Sequence, residues 1–132
     1  MKAREPCPIL YARDVEKSAA FYETAFGFER TYQWPGEGPA EFVFLRLEPS
    51  GIGIGSADGE NVHGGPVAPG SGAFELCLYV DDMDAVCALL RELGADELRA
   101  PVDEPWGERR AYFADPDGNT IHVAMTLAER RA

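Results

Sequence analysis

Ile9-Leu10-Tyr11-Ala12-Arg13-Asp14-Val15 and Phe74-Glu75-Leu76-Cys77-Leu78-Tyr79-Val80-Asp81-Asp82-Met83 carry the same local signal twice. In each, a short apolar run ends at an aspartate, and an amphipathic stretch closed by glycine follows. Leu10-Tyr11 superposes on Leu78-Tyr79, Asp14 on Asp82 and Val15 on Met83. With one residue lost inside the second amphipathic stretch, Gly27 meets Gly94 and, further on, Gly55 meets His122. The spacing predicts helices over 15–26 and 83–93. Val15, Ala19, Tyr22 and Phe26 form one apolar stripe, and Met83, Val86, Cys87, Leu90 and Leu93 form the other. Asp14 and Asp82 are placed to accept from the first unpaired backbone N–H groups, and Gly27 and Gly94 to adopt the positive φ that stops a helix.

Working outward, runs at 9–12, 41–47 and 52–56 read as strands in the first half, and 74–80, 111–114 and 120–125 in the second. Asp115-Pro116-Asp117-Gly118-Asn119 is a turn signal: proline presets φ, and glycine accepts positive φ between two alternating strands. The expected fold class is α+β, two tandem βαβββ modules forming a curved mixed sheet with helices outside. Module one spans 7–56 and module two 73–126. Residues 57–72, rich in Gly and Pro without periodicity, read as a linker that leaves His63 solvated. At 132 residues the chain is too short for two autonomous domains, so the modules form a single domain.

Twenty-three acidic against twelve basic residues give a formal charge of −11. A nucleic-acid backbone would be repelled, since Arg109-Arg110 and Arg130-Arg131 are only doublets. An anionic membrane surface is disfavoured for the same reason, and no apolar run approaches the ~20 residues that span a bilayer. A cationic or neutral partner fits better, unless the acidity serves solubility alone. Cys7, Cys77 and Cys87 are too few and too irregularly spaced for a disulfide framework or a metal knuckle. With no apolar stretch at the N-terminus resembling an export signal, the expected location is cytoplasmic.

Alternation in 74–80 directs Phe74, Leu76, Leu78 and Val80 to the helix side and Glu75, Cys77 and Tyr79 to the other. In 120–125 it directs Ile121, Val123 and Met125 inward and Thr120, His122 and Ala124 outward. Glu75 and His122 can therefore share the sheet's open face, as a mutual hydrogen bond or ion pair lining a cleft. The repeat supplies a test for a metal, because Cys7 is the partner of Glu75 and Gly55 the partner of His122. Glycine offers no ligand, and a thiolate beside a carboxylate is uncommon outside zinc-like sites. Two convincing ligands, or three with Cys7, are poor support for a catalytic ion, so no cofactor is expected. No nucleophile elbow or phosphate loop is present, and inert burial suits Cys7 better than nucleophilic attack. Trp34 and Trp106 sit in Pro- and Gly-rich loops, where an indole is either covered by protein or open to a ligand. Beside Trp106, Asp103, Glu104 and Glu108 would complement a cationic guest. Phe42 and Phe44 line either the same cleft or the core.

These residues resemble the vicinal oxygen chelate superfamily, which contains glyoxalase I, ring-cleaving dioxygenases, and fosfomycin and bleomycin resistance proteins. The resemblance spans about Pro8 to Met125. It is carried by Ile9 to Val15, by Phe21-Tyr22 and Phe26-Gly27-Phe28, and by Pro105-Trp106-Gly107-Glu108-Arg109 with Asp115 to Asn119. The last two segments are most similar to the bleomycin resistance branch, which implies that Trp106 stacks on a planar part of a drug beside Gly107. Trp34 and Phe42 are the candidates for a second stacking aromatic. The superfamily's enzymes place metal ligands at positions matching Cys7, Gly55, Glu75 and His122, and this chain departs from them at Cys7 and Gly55. The resemblance thus implies a member that binds rather than converts a bulky aromatic or cationic natural product. It also implies a homodimer in which the first half of one chain faces the second half of the other. The alternative is a metal-dependent glyoxalase- or dioxygenase-like enzyme using Glu75 and His122.

Overall fold

The computed structural model describes residues 2, 4–58, 68–70 and 74–127. Two compact units divide the chain, Met1–Pro69 and Gly70–Ala132. Most of the stretch read as a linker, with His63, lies outside the described residues, as does Arg130-Arg131.

The first unit runs β1 (Ile9–Ala12), α1 (Val15–Phe26), β2 (Glu29–Trp34), β3 (Phe42–Leu47) and β4 (Ser50–Ser56). Its sheet has the order β1-β4-β3-β2, with β1 parallel to β4 and the other pairs antiparallel. The second unit runs β5 (Glu75–Tyr79), α2 (Met83–Glu92), β6 (Glu97–Glu104), β7 (Glu108–Ala114) and β8 (Thr120–Thr126). Its order, β5-β8-β7-β6, repeats that of the first with the same parallel and antiparallel pairings. The architecture is α+β, built as tandem βαβββ modules with one four-stranded mixed sheet in each.

The helix signals act as read from the sequence. The Asp14 carboxylate accepts from Lys17 N–H at 3.1 Å, and that of Asp82 accepts from Ala85 N–H at 3.1 Å, each such cap stabilising by about 1 kcal/mol. Gly27 adopts φ 78° and donates its N–H to the Glu23 carbonyl. Gly94 follows the α2 cap Leu93 with φ 81°. Tyr22, Val43, Leu45 and Ile54 are fully buried in the first unit. Met83, Leu90, Phe113, Ile121 and Val123 are buried in the second. Full burial of each aliphatic side chain contributes roughly 1.5–3 kcal/mol.

Four expectations need correction. Strands β2 and β6 carry no clean alternation because they are polar edge strands, and β6 also contains Pro101. Each has register shifts, between Arg30 and Tyr32 in β2 and between Glu97, Arg99 and Val102 in β6. Phe74 is not under the helix: pairing starts at Glu75, and Phe74 is 87% exposed. Ala124 is fully buried, because Tyr79 and Arg110 flank it in register. Leu93 caps α2 partly exposed instead of completing its buried stripe.

Strand β4 alternates Gly51, Gly53 and Gly55 with Ile52 and Ile54, so one face is core and the other is bare backbone. The Phe44 ring lies over Gly51 and the Phe42 ring over Gly53, each leaning diagonally from β3. A Cβ at Gly51 would stand 2.5 Å from Phe44 Cζ and 2.8 Å from the Leu45 carbonyl oxygen. At Gly55 its nearest neighbours would be Tyr11 at 3.5 Å and Ile9 at 3.8 Å, ordinary contact distances. In chemical denaturation, Gly51→Ala is expected to destabilise by about 1–3 kcal/mol, as overpacking does, and Gly55→Ala to stay within about 0.5 kcal/mol of the parent.

Helix α1 also holds the edge of its sheet. Arg30 donates to both Glu16 carboxylate oxygens at 3.0 and 3.2 Å, and Ala40 N–H reaches the same carboxylate at 3.4 Å. The Arg30 hydrogen bond, opposed by partial desolvation and aided by the Arg30 charge, holds the Glu16 carboxyl below its ordinary value. A lowered folded-state pKa stabilises the fold above the unfolded pKa, and that stabilisation is lost as pH falls through the folded one. The Glu16 carboxylate is about half exposed and water screens the pair, so Glu16→Gln should remove less than about 1 kcal/mol at neutral pH and flatten the acid limb of a stability-against-pH curve.

Candidate functional site

In the second unit the open sheet face is organised around the hairpin joining β6 to β7. Glu104 accepts from Gly107 N–H at 3.1 Å, Gly107 takes φ 88°, and Trp106 occupies the turn. Trp106 is 51% exposed but held at two points. Its indole N–H donates to Glu108 Oε1 at 3.0 Å, and the Arg110 guanidinium lies over its ring at 4.8 Å. Glu108 is itself buried, 7% exposed, and its second oxygen accepts from Tyr79 O–H at 2.8 Å. Beyond Arg110 the stack continues. Its guanidinium is 5.6 Å from the Tyr112 ring centre, and Tyr112 stacks on His122 at 4.8 Å and 27°. His122 Nδ1 stands 3.3 Å from Glu75 Oε1. Trp106, Arg110, Tyr112, His122 and Glu75 thus form one continuous run across three strands.

The hairpin also corrects the electrostatic expectation. Asp103 and Glu104 are already held by arginines of β7, Arg109 facing Asp103 in register and Arg110, opposite Val102, reaching Glu104 diagonally, while Glu108 accepts from the Trp106 and Tyr79 donors. Arg109 holds Asp103 at 2.6 Å, and Arg110 holds Glu104 at 2.8 Å with Arg99 at 3.7 Å. The Arg109 hydrogen bond keeps the Asp103 carboxyl below its ordinary value. What the turn presents is a braced indole.

In the first unit, Ile9, Tyr11, Tyr32, Trp34, Glu41, Phe42 and Gly55 line a groove of about 460 Å³. Trp34 is not a loop residue as expected: it ends β2, pairs with Phe42, and is 47% exposed. Gln33 steadies the following loop by donating its side-chain amide to the Pro35 and Gly38 carbonyls, both at 3.2 Å. The alternatives for the phenylalanines resolve by register. Phe42 lines the groove 6.3 Å from Tyr32, whereas Phe44 shields Gly51.

Of the positions matching the superfamily's metal ligands, Cys7 and Gly55 lie in the first unit and Glu75 and His122 in the second. Cys7 is exposed rather than buried, since it precedes β1. Its thiol donates to the Pro8 and Gly51 carbonyls at 3.4 and 3.7 Å. Gly55 lies beside the Tyr11 ring and has no donor atom. Glu75 and His122 are paired, and Cys77 is next to His122 in register. Desolvation around the Cys77 sulfur, then the charges of Glu108 and Glu75, push its thiol above the ordinary value. Among the described residues no three His, Cys, Asp or Glu side chains come together as a metal site, whereas catalytic zinc sites use three protein ligands.

Sequence reading missed Tyr11, Tyr32 and Glu41 in the first unit, and Tyr79, Arg110 and Tyr112 in the second. The signal for the former was present: alternate glycines in Gly51-Ile52-Gly53-Ile54-Gly55 mark a face that aromatic rings can lie across. No helix among the described residues is long and apolar enough to cross a membrane.

Comparison with known proteins agrees with this architecture. TioX from Micromonospora sp. ML1 matches with a TM-score of 0.76 at 19% identity, covering 95% of this chain and 100% of that one. The fosfomycin resistance protein FosX from Listeria monocytogenes matches at 0.74 and 18% identity over 100% of both chains. Lactoylglutathione lyase from Agrobacterium tumefaciens matches at 0.68 and 25% identity, covering 95% of this chain and 94% of that one. No curated protein sequence shows a significant match. The family model described as Glyoxalase/Bleomycin resistance protein/Dioxygenase superfamily matches residues 7–123, nearly the whole folded chain. With the tandem βαβββ modules already described, this establishes that the chain belongs to the glyoxalase/bleomycin resistance protein/dioxygenase superfamily.

Proposed function

We propose that the protein binds and sequesters a bulky natural product with a planar aromatic part, of the bleomycin type, without converting it. The observation that carries this reading is the state of Trp106. Its N–H and one ring face are already fixed by Glu108 and Arg110, while half of its surface is open. An indole immobilised in advance loses little freedom when a flat guest stacks on it. Protection by sequestration needs a dissociation constant near micromolar, about 8 kcal/mol, which aromatic stacking with buried apolar area can supply. The protein acts as a homodimer on this reading. Support comes from the exposed Phe74 and Leu98, whose covering by a second copy would be favourable.

Titration with bleomycin should quench tryptophan fluorescence and release heat, with a dissociation constant at or below the micromolar range. Trp106→Ala should weaken binding at least about tenfold, or 1.4 kcal/mol. An absence of heat and quenching at high micromolar drug would remove bleomycin as the ligand.

A second reading, a metal-dependent lyase or dioxygenase using Glu75 and His122, has one observation in its favour: His122 Nε2 is buried without a hydrogen-bond partner. Elemental analysis of protein purified without chelator separates the two. Sequestration predicts substoichiometric metal and unchanged drug affinity after chelation. Stoichiometric metal that disappears together with an activity in Glu75→Ala or His122→Ala would reverse the ranking.

A further inference from the structure

Polar aromatic side chains at a protein surface ordinarily turn their N–H or O–H to water and bury their carbons. Tyr79 and Trp106 do the opposite. The Tyr79 hydroxyl donates to one oxygen of Glu108 at 2.8 Å and the Trp106 indole N–H to the other at 3.0 Å, while Glu108 itself is buried. Yet Tyr79 is 64% and Trp106 51% exposed, so much of the surface that each offers to water is ring carbon. Hydrocarbon held outward while its polar end is held inward costs free energy until something covers it.

The strand register brings the two rings to one place. Tyr79 of β5 is opposite Ala124 of β8, and Ala124 is opposite Arg110 of β7, two residues on from Glu108. Tyr79, Ala124, Arg110 and Glu108 therefore share one face of the sheet. With only the Ala124 methyl between β5 and β7 in that row, the Tyr79 side chain can cross β8 to reach Glu108, and Trp106 reaches the same carboxylate from the turn. At their polar ends the rings are two hydrogen bonds and one carboxylate apart. The charges beside them are already engaged, Glu108 by the two donors and Arg110 by Glu104 at 2.8 Å, so the surface favours uncharged apolar area. Two aromatic side chains offer at most about 500 Å². A stable protein interface buries ~800 Å² per partner, so a planar small molecule fits this surface better than a second copy of the chain.

We infer that Tyr79 is the second stacking ring of the Trp106 site, and that the pair takes an uncharged planar aromatic system long enough to cover both rings. The inference rests on the ligand-binding reading above and deepens it. It gives the planar part of the guest a minimum length, and it places both aromatic contacts in the second unit, where Trp34 and Phe42 of the first were the expected partners.

The test uses the full chain with acridine, a tricyclic probe that is uncharged at mildly alkaline pH, and in parallel with bleomycin. Isotope-filtered NMR reads contacts from each probe to the ring protons of Tyr79 and Trp106, assigned with Tyr79→Phe and Trp106→Phe. Acridine should contact both rings at once. Tyr79→Leu, checked for an unchanged melting temperature, should weaken acridine about tenfold, the scale of one lost ring stack, and Tyr79→Phe, which keeps the ring, should hold it within about threefold of the parent. Because the contacts are read on the parent chain, the test stands even where Tyr79→Leu fails to fold. Contacts to Trp106 alone, or an acridine affinity unchanged by Tyr79→Leu, would overturn the inference. So would a change of oligomeric state in that variant by sedimentation velocity, which would make Tyr79 a subunit contact. If bleomycin touches Trp106 without Tyr79, the two-ring site falls and sequestration stands. If acridine touches both rings while bleomycin does not bind, the two-ring site stands and the bleomycin-type reading falls. If neither probe reaches either ring, both fall.

Discussion

The alternation of glycine and isoleucine along β4 is the constraint on which the first unit depends. Ile52 and Ile54 fill the core beneath α1, while Gly51, Gly53 and Gly55 leave the opposite face without side chains. Rings from β3 then lie across that backbone at distances no Cβ would permit. Because Phe44 and Phe42 take up the first two glycines, only Gly55 remains uncovered from β3, and the groove opens there between Tyr11 and Trp34. One pattern of small residues therefore sets both the packing of the sheet and the place where the groove opens.

The second unit repeats the topology and reverses the chemistry. Where β4 has Gly55, β8 has His122, and the face fills with polar and aromatic side chains in mutual contact. Glu108 is central there: a buried carboxylate is tolerable only when its oxygens are satisfied, and Trp106 and Tyr79 each donate to one of them. That requirement turns an exposed turn tryptophan into a fixed one. Arg110 plays the complementary part, neutralising Glu104 while bridging the Trp106 and Tyr112 rings.

Much of this was legible in the chain, because the deciding signals are local. An aspartate before an apolar stripe and a glycine after it act within a few residues, so both helices and the internal repeat could be read directly. The edge strands β2 and β6 could not, since their sequences face solvent on most sides and their pairing is held by distant partners. Asp103, Glu104 and Glu108 misled for a related reason. Counted along the chain they form an acidic cluster, but hairpin register sets Asp103 against Arg109, and Arg110, opposite Val102, reaches diagonally to Glu104. The Glu75–His122 pairing was legible from strand parity. The destinations of Phe42 and Phe44 depended on diagonal packing against β4, which alternation alone does not specify.

On the proposed reading the protein holds its guest and does no chemistry on it, and the fate of the guest is the most direct test. Bleomycin incubated with the protein, then released by denaturation and analysed by mass spectrometry, should come back chemically intact, in equal amount with and without a divalent-metal chelator. Recovery of a modified product whose formation stops when chelator is added would contradict the account at its centre.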